Sequence, residues 1–144
     1  MKTHWAPLWL GLLLTGAAEA SPFRCENPTA NDLMAGIKDS AESRGGKLVV
    51  EGSQPYPLSG VWGREFPLEG GERYELLVSA GVNTWAKAGV QDARGRAINS
   101  TEVISSPRLK LAFQVPIDAP YVVNIGALGD EPRRCFYWSL YLFQ

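Results

Sequence analysis

Histidine is nearly absent from this chain. The 144 residues hold one, His4, together with two cysteines and two methionines. His4 lies inside an N-terminal segment with the features of an export signal. Lys2 supplies a positive start, Trp5 to Leu14 is an apolar run, and Ala18-Glu19-Ala20 is a small-x-small cleavage site. Residues 1–20 are therefore expected to be a signal peptide, with Ser21 as the first mature residue. The apolar run is shorter than the ~20 residues that span a bilayer, and no later run is longer, so membrane insertion is not expected. No cysteine stands at the cleavage point to carry a lipid.

The remaining residues, 21–144, contain no histidine. That excludes Ser–His–Asp and Cys–His nucleophilic sites and removes the commonest zinc ligand. Charge of one sign is also lacking. Fourteen Lys and Arg face fifteen Asp and Glu, a net charge of −1. No basic field is present to attract nucleic acid or an anionic membrane. No cofactor and no metal are expected. Asp92 and Asp118 are too isolated to make a good calcium site. Glu69 with Glu72, or Asp130 with Glu131, are the only carboxylate pairs that resemble a glycosidase acid and base, and each flanks a Gly or Pro turn. The chain is not expected to be an enzyme.

The two cysteines, Cys25 and Cys135, stand 110 positions apart near the two ends of the mature chain. In an exported protein such a pair reads as a disulfide; two free thiols are the alternative. The chain-entropy model credits a loop of that length with about 4–5 kcal/mol as an upper figure.

One helix is expected, near Ala30 to Ser43. Leu33, Met34, Ile37 and Ala41 recur at helical spacing, Thr29 or Asn31 caps the start, and Gly45-Gly46 ends it. The stripe is expected to pack on a sheet. After Gly46 the period changes to two. "KLVVEG" is a short strand, and the Pro- and Gly-rich Gln54 to Glu72 reads as turns and short edge pieces. "RYELLVSAG" alternates, with Tyr74, Leu76 and Val78 on one side. "TWAKAGVQDARG" places Trp85 in the core and ends at an Asp-Ala-Arg-Gly turn. "RLKLAFQV" directs Leu109, Leu111, Phe113 and Val115 one way. "CFYWSLYLF" is aromatic on both faces, which suits a central strand, with Trp138 in the core. Short alternating strands with Gly and Pro turns predict one all-β domain, an antiparallel sandwich of jelly-roll type with one N-terminal helix.

From Phe66 onward the order "FPLEGGERYELLVSAG", "VQDARGRAI", "LAFQVPIDAPYVVNIGAL" and "CFYWSLYLF" resembles bacterial pre-peptidase C-terminal domains. It also resembles the periplasmic inhibitors of g-type lysozyme. The resemblance implies a jelly-roll fold and a protein-binding role. The Ser-Gly-x-x-Tyr loop that such inhibitors present does not carry over. The corresponding turn reads "DAPY", with Asp118 and Pro120 where Ser and Gly stand and only Tyr121 matching.

Two segments stand out as binding candidates. Arg94 to Leu109, "RGRAINSTEVISSPRL", is long for a connection in a compact domain. Asn99, Ser100, Thr101, Glu102, Ser105, Ser106 and Arg108 give it polar reach, and long loops on rigid sandwiches are common binding elements. The alternatives are a loop that tucks Val103 and Ile104 inward, and an extra edge strand over Thr101 to Ile104. Asn99-Ser100-Thr101 matches the N-glycosylation sequon, a match read as chance in a bacterial protein. The second candidate is Tyr56, Trp62 and Phe66, aromatics set among turns that either stack on a ligand or cover the mouth of the core. The expected function is a protein-binding inhibitor, an immunity protein that occludes a cell-wall-degrading enzyme in the periplasm, or outside the cell if the chain is secreted. A carbohydrate- or cell-wall-binding module is the alternative.

Overall fold

The computed structural model describes residues 24–57, 60–81, 83–100, 104–105, 108–129 and 134–144. The expected signal peptide lies outside them, as do Thr101, Glu102, Ser106, Asp130 and Glu131. Among the described residues no helix is long and apolar enough to cross a membrane.

Helix α1 spans Pro28–Ser43. It starts two residues before the expected boundary, because neither Thr29 nor Asn31 caps it. Asn27 does: its Oδ1 accepts the N–H of Ala30, and Pro28 follows with its φ already set for a helix. At the other end Gly45 adopts φ +91°, and the N–H of Gly46 returns to the carbonyl of Ala41. A glycine there closes the last turn without a Cβ penalty.

Among the described residues nine strands follow: β1 Lys47–Pro55, β2 Trp62–Leu68, β3 Arg73–Ser79, β4 Thr84–Asp92, β5 Ala97–Ser100, β6 Ile104–Ser105, β7 Arg108–Gln114, β8 Ala119–Gly129 and β9 Cys135–Phe143. One sheet has the order β1-β9-β3-β7, the other β2-β8-β4-β5, with β6 also on β4. Every pairing is antiparallel. Counting β5 and β6 as one edge, eight strands form two four-membered sheets, and the chain changes sheet at every step except β4 to β5, the arrangement of a jelly roll. Among the described residues the observed fold is therefore an all-β sandwich with one helix.

The alternating residues meet between the sheets. Tyr74, Leu76 and Val78 of β3, Leu109, Leu111 and Phe113 of β7, and Phe136, Trp138 and Leu140 of β9 join Phe66, Tyr121, Val123 and Ile125 from the other sheet. Trp138 is the largest of these, with its ring 5.7 Å from Phe66 and 5.2 Å from Trp62. β9 is central, between β1 and β3, which explains its aromatic residues on both faces. Its second face lies under α1, where Met34 and Ala41 pack on Leu77 and Tyr141.

The helix changes the chemistry of the face it covers. Glu75 points outward from β3, yet its side chain is 7% exposed, and Arg44 grips both carboxylate oxygens at 2.9 Å. The Ser79 hydroxyl donates to the carbonyl of Ala30 at 2.5 Å, and the Tyr141 hydroxyl donates to Glu42 at 2.6 Å. The Cys25–Cys135 disulfide pins the entry to α1 onto the start of β9, with Cα atoms 5.7 Å apart. The Tyr137 hydroxyl donates to the Cys25 carbonyl beside it.

Candidate binding surface

β4 decides where the candidate surface lies. Its Thr84, Ala86, Ala88 and Val90 are buried, so Trp85 and Lys87 point away from the core. Trp85 is 52% exposed, against the expectation that it is buried. The reason is volume. Trp138, Phe66 and Tyr121 already fill the interior, and close packing leaves β4 room for small residues on that side.

Outward from the same sheet, Trp85 sits opposite Leu128 of β8, which is 67% exposed. Directly opposed outward side chains on antiparallel strands lie close enough to touch. Lys87 sits opposite Gly126, where a Cβ would come within 3.1 Å of Lys87 Cε and 3.3 Å of Val61 Cγ1. The missing side chain at Gly126 thus lets the lysine stem and Val61 lie together over the strand, with the ammonium at the rim. Val61, also exposed, lies beside Gly126, two positions along β8 from Leu128.

The segment expected as one long loop borders Trp85, but its described residues are largely strand. β5 pairs with the far end of β4, with Ser100 opposite Gly89 and Asn99 opposite Val90. After residues 101–103, β6 resumes the pairing, with Ser105 opposite Trp85 and Ile104 opposite Ala86. An edge strand needs pairing on one side only. The backbone of β4 supplies it, so the weak hydrophobic alternation here did not prevent a strand. The tight turn into β5 is built as expected. Asp92 Oδ1 accepts the N–H groups of Arg94 and Arg96, and Gly95 takes φ +83°.

The expected site residues therefore separate. Ser100 is exposed on β5, and the backbone of Ser105 on β6 pairs opposite Trp85. Asn99 is committed elsewhere: its Nδ2 donates to the carbonyl of Ala112 on β7 at 2.7 Å, lacing the open edges of the two sheets together. Arg108 opens β7 in the other sheet, opposite Ser79, on the side of the molecule that carries α1. Thr101, Glu102 and Ser106 lie outside the described residues.

The second candidate does not form an exposed aromatic surface. Tyr56 and Phe66 are 6% and 2% exposed, packed in the core because both sheets close over them. The Tyr56 hydroxyl is 3.4 Å from Thr84 Oγ1. Trp62 is half-buried against Trp138 and Phe136. These three cover the mouth of the core.

The carboxylates serve turns. Asp92 binds Arg96 and is held below the ordinary carboxylate range, first by the N–H of Arg96. Asp118 Oδ1 accepts the N–H of Gly70 at 2.7 Å. Glu69 and Glu72 frame the β2–β3 turn, where the N–H of Glu69 donates to the hydroxyl of Tyr74. Among the described residues no three His, Cys, Asp or Glu side chains gather as metal ligands would.

The signal that pointed to Trp85 was present in "TWAKAGV": one aromatic and one lysine alternate with small residues. What it lacked was a mark of which side the core takes.

No protein-family model matches the chain, and no curated protein matches it. Among solved structures, the K3 cleaved adhesin domain of Lys-gingipain from Porphyromonas gingivalis w83 is similar at a TM-score of 0.37 and 14% identity, over 66% of this chain and 73% of that one. A chain of infectious bursal disease virus Gt strain is similar at a TM-score of 0.30 and 11% identity, over 67% of this chain; the match takes in 32% of the viral chain.

Proposed function

We propose that the protein is an exported protein-binding inhibitor, an immunity protein that covers the active site of a peptidoglycan-degrading enzyme such as a secretion-system effector or a lysozyme. The observation that carries this reading is the exposed Trp85–Leu128 pair on a sheet face, with Ser105 paired beside it. Tryptophan is enriched among the few residues that dominate binding energy, and such residues are ringed by contacts that exclude water. Here Val61 and the Lys87 stem form part of that ring on one side, and Ser100, exposed on the β5 edge, forms part of it on the other. A standard interface of ~1,600 Å² centred on Trp85 takes in both.

The mechanism is occlusion. The sandwich supplies a rigid base, Trp85 anchors in an apolar recess near the enzyme's cleft, and the small hydroxyl side chains of the β4 edge enter the cleft itself. Short side chains lose little rotamer entropy on docking. The binding needs no cofactor. The compartment is the periplasm, with secretion as second choice. The disulfide supports an oxidising location, and the resemblance to periplasmic lysozyme inhibitors supports the class of target.

The test is inhibition of a panel of purified muramidases, amidases and endopeptidases by the disulfide-bonded protein. Stoichiometric loss of activity for one of them is expected. Full activity of every enzyme in the panel at micromolar protein overturns the reading.

One observation favours a second reading, a glycan-binding module: an indole exposed on a sheet face is also able to stack on a sugar ring. Soluble peptidoglycan fragments then quench Trp fluorescence in the wild type and not in Trp85→Phe with its weaker emission subtracted, and no enzyme is inhibited.

A further inference from the structure

The open strands of the two sheets are guarded unequally. β2 carries Pro67, which has no N–H to offer. β5 is four residues long and pairs with β4 through a register shift, and Asn99 ties it to the carbonyl of Ala112 on β7. β7 itself carries Arg108 and Lys110. Short length, bulges, charge and proline are the usual devices that keep an edge from pairing with another chain.

β1 is the exception. It is nine residues long, and among the described residues β9 alone pairs with it. Lys47, the register shift at Val49 and the ring of Pro55 guard its two ends. Its middle, Val50 to Gln54, has none of these. The one charge there, Glu51, is met by Lys38 of α1 at 2.5 Å. Leu48 and Val49 beside it are 42% and 47% exposed.

The register shows which backbone groups turn outward. The N–H of Tyr56 donates to the carbonyl of Arg134, one step beyond the Pro55–Cys135 pair. Bonded and non-bonded positions alternate along an antiparallel ladder. Gln54, Gly52 and Val50 therefore turn their backbone groups to β9, and Ser53 and Glu51 turn theirs to the free side. That row is self-complementary. Two copies related by a two-fold axis at Gly52 set Ser53 of each opposite Glu51 of the other, and both N–H···O bonds of each pair close. Gly52 has no side chain to collide at the axis, where the Cα atoms come within about 4.5 Å. Ser53 and Glu51 share the α1 side of the strand. Each Ser53 hydroxyl thus also faces the opposing Glu51 carboxylate, whose Oε1 is taken by Lys38. A register centred on Glu51 would instead oppose two like charges.

We propose that β1 is the edge through which two copies of this chain pair, joining their β1-β9-β3-β7 sheets into one continuous sheet. The contact is isologous and closes on itself. It is smaller than the ~1,200 Å² of a stable complex, so the dimer is reversible. Trp85 belongs to the other sheet, so this contact is separate from the surface assigned to the target enzyme.

Analytical ultracentrifugation of the disulfide-bonded protein from about 5 to about 500 µM measures the mass, and amide hydrogen exchange at both concentrations reads the edge residue by residue. Twice the chain mass is expected at the upper concentration. There the amides of Glu51 and Ser53 are protected, and on dilution they exchange roughly ten-fold faster or more, while those of Gly52 and Gln54 stay slow at both. Ser53→Pro removes an outward donor and no β1–β9 bond. It is expected to stay a single chain throughout, with the melting temperature of diluted wild type; if it melts lower, the exchange pattern of the wild type decides alone. A single-chain mass at the upper concentration, amides of Glu51 and Ser53 that ignore dilution, or a dimer that persists in a well-folded Ser53→Pro overturns the proposal. So does a dimer lost on Trp85→Ser, which gives the contact to the other sheet. Protection of Glu51 and Ser53 that appears only with an inhibited enzyme also overturns it, and gives the edge to a strand of that enzyme.

Discussion

Two tryptophans show how much one side chain's setting matters. Trp138 and Trp85 both alternate with smaller neighbours in strands, but one is 1% exposed and the other 52%. Trp138→Ala is expected to cost about 3–5 kcal/mol, as other core aromatic truncations do. Trp85→Ser is expected to fall within about 0.5 kcal/mol of wild type. Urea denaturation of the two variants checks both. The core position of Trp138 is legible in its sequence, since apolar residues flank it at both i±2 positions. Trp85 is not, because Lys87 and Gly89 on its own side and Ala86 and Ala88 on the other give little contrast. Glu75 escaped for a related reason. Its strand alternation marks it as outward, and only the packing of α1 and Arg44 over that face buries it. Its carboxyl is held below the ordinary range, first by the hydrogen bonds from Arg44. A depressed carboxylate contributes stability above its unfolded pKa, near 4.3, and loses it as pH falls through the lower folded value. Arg44→Ala is therefore expected to cost about 2 kcal/mol at pH 7. This is less than for a fully buried pair, because Arg44 is partly open to solvent. The deficit relative to wild type shrinks on acidification below about pH 4, because protonated Glu75 no longer strands a charge. Denaturation of both proteins at pH 7 and pH 3 measures this.

Among the elements, α1 was the easiest to read, since its apolar stripe had one side to face. Its start was misplaced by two residues because three Asx or Thr candidates lie within five positions, and Asn27 with Pro28 behind it is the pair that fits cap geometry. Gly36→Ala is expected to stabilise the protein by about 0.5–1 kcal/mol, since the site is helical and open. A fall in melting temperature instead places an unseen constraint at Gly36. The segment from Arg94 to Leu109 was harder. Of the described residues in β5 only Ile98 is drawn toward the core. An edge strand held by its neighbour's backbone has no obligatory pattern of its own. The β4–β5 turn, with Asp92, Gly95 and the ladder on either side, was legible because its chemistry is local.

For the molecule as a whole, the order of strands along the chain follows from the sequence, while their order within the sheets does not. Pairings such as β1 with β9 join positions near opposite ends of the chain and leave no local trace. The disulfide is the exception, since the expected export and a lone pair of cysteines point to it. Cys25→Ser combined with Cys135→Ser is expected to lower stability by up to about 4–5 kcal/mol without changing the sandwich. Far-ultraviolet circular dichroism and thermal melting of the double variant test both halves of that statement. The sandwich exposes Trp85 and Leu128 on one sheet and carries α1 over the other, and the account assigns the target enzyme to the first.

The most direct measurement is the inhibition constant of Trp85→Ser against an enzyme that the wild type inhibits, with the melting temperature of both proteins recorded in parallel. Loss of a hot-spot tryptophan costs about 2 kcal/mol or more, a weakening of roughly thirty-fold or greater. The account predicts that loss with a melting temperature within about 2 °C of wild type. Undiminished inhibition by Trp85→Ser would contradict it and remove the Trp85–Leu128 face from the interface.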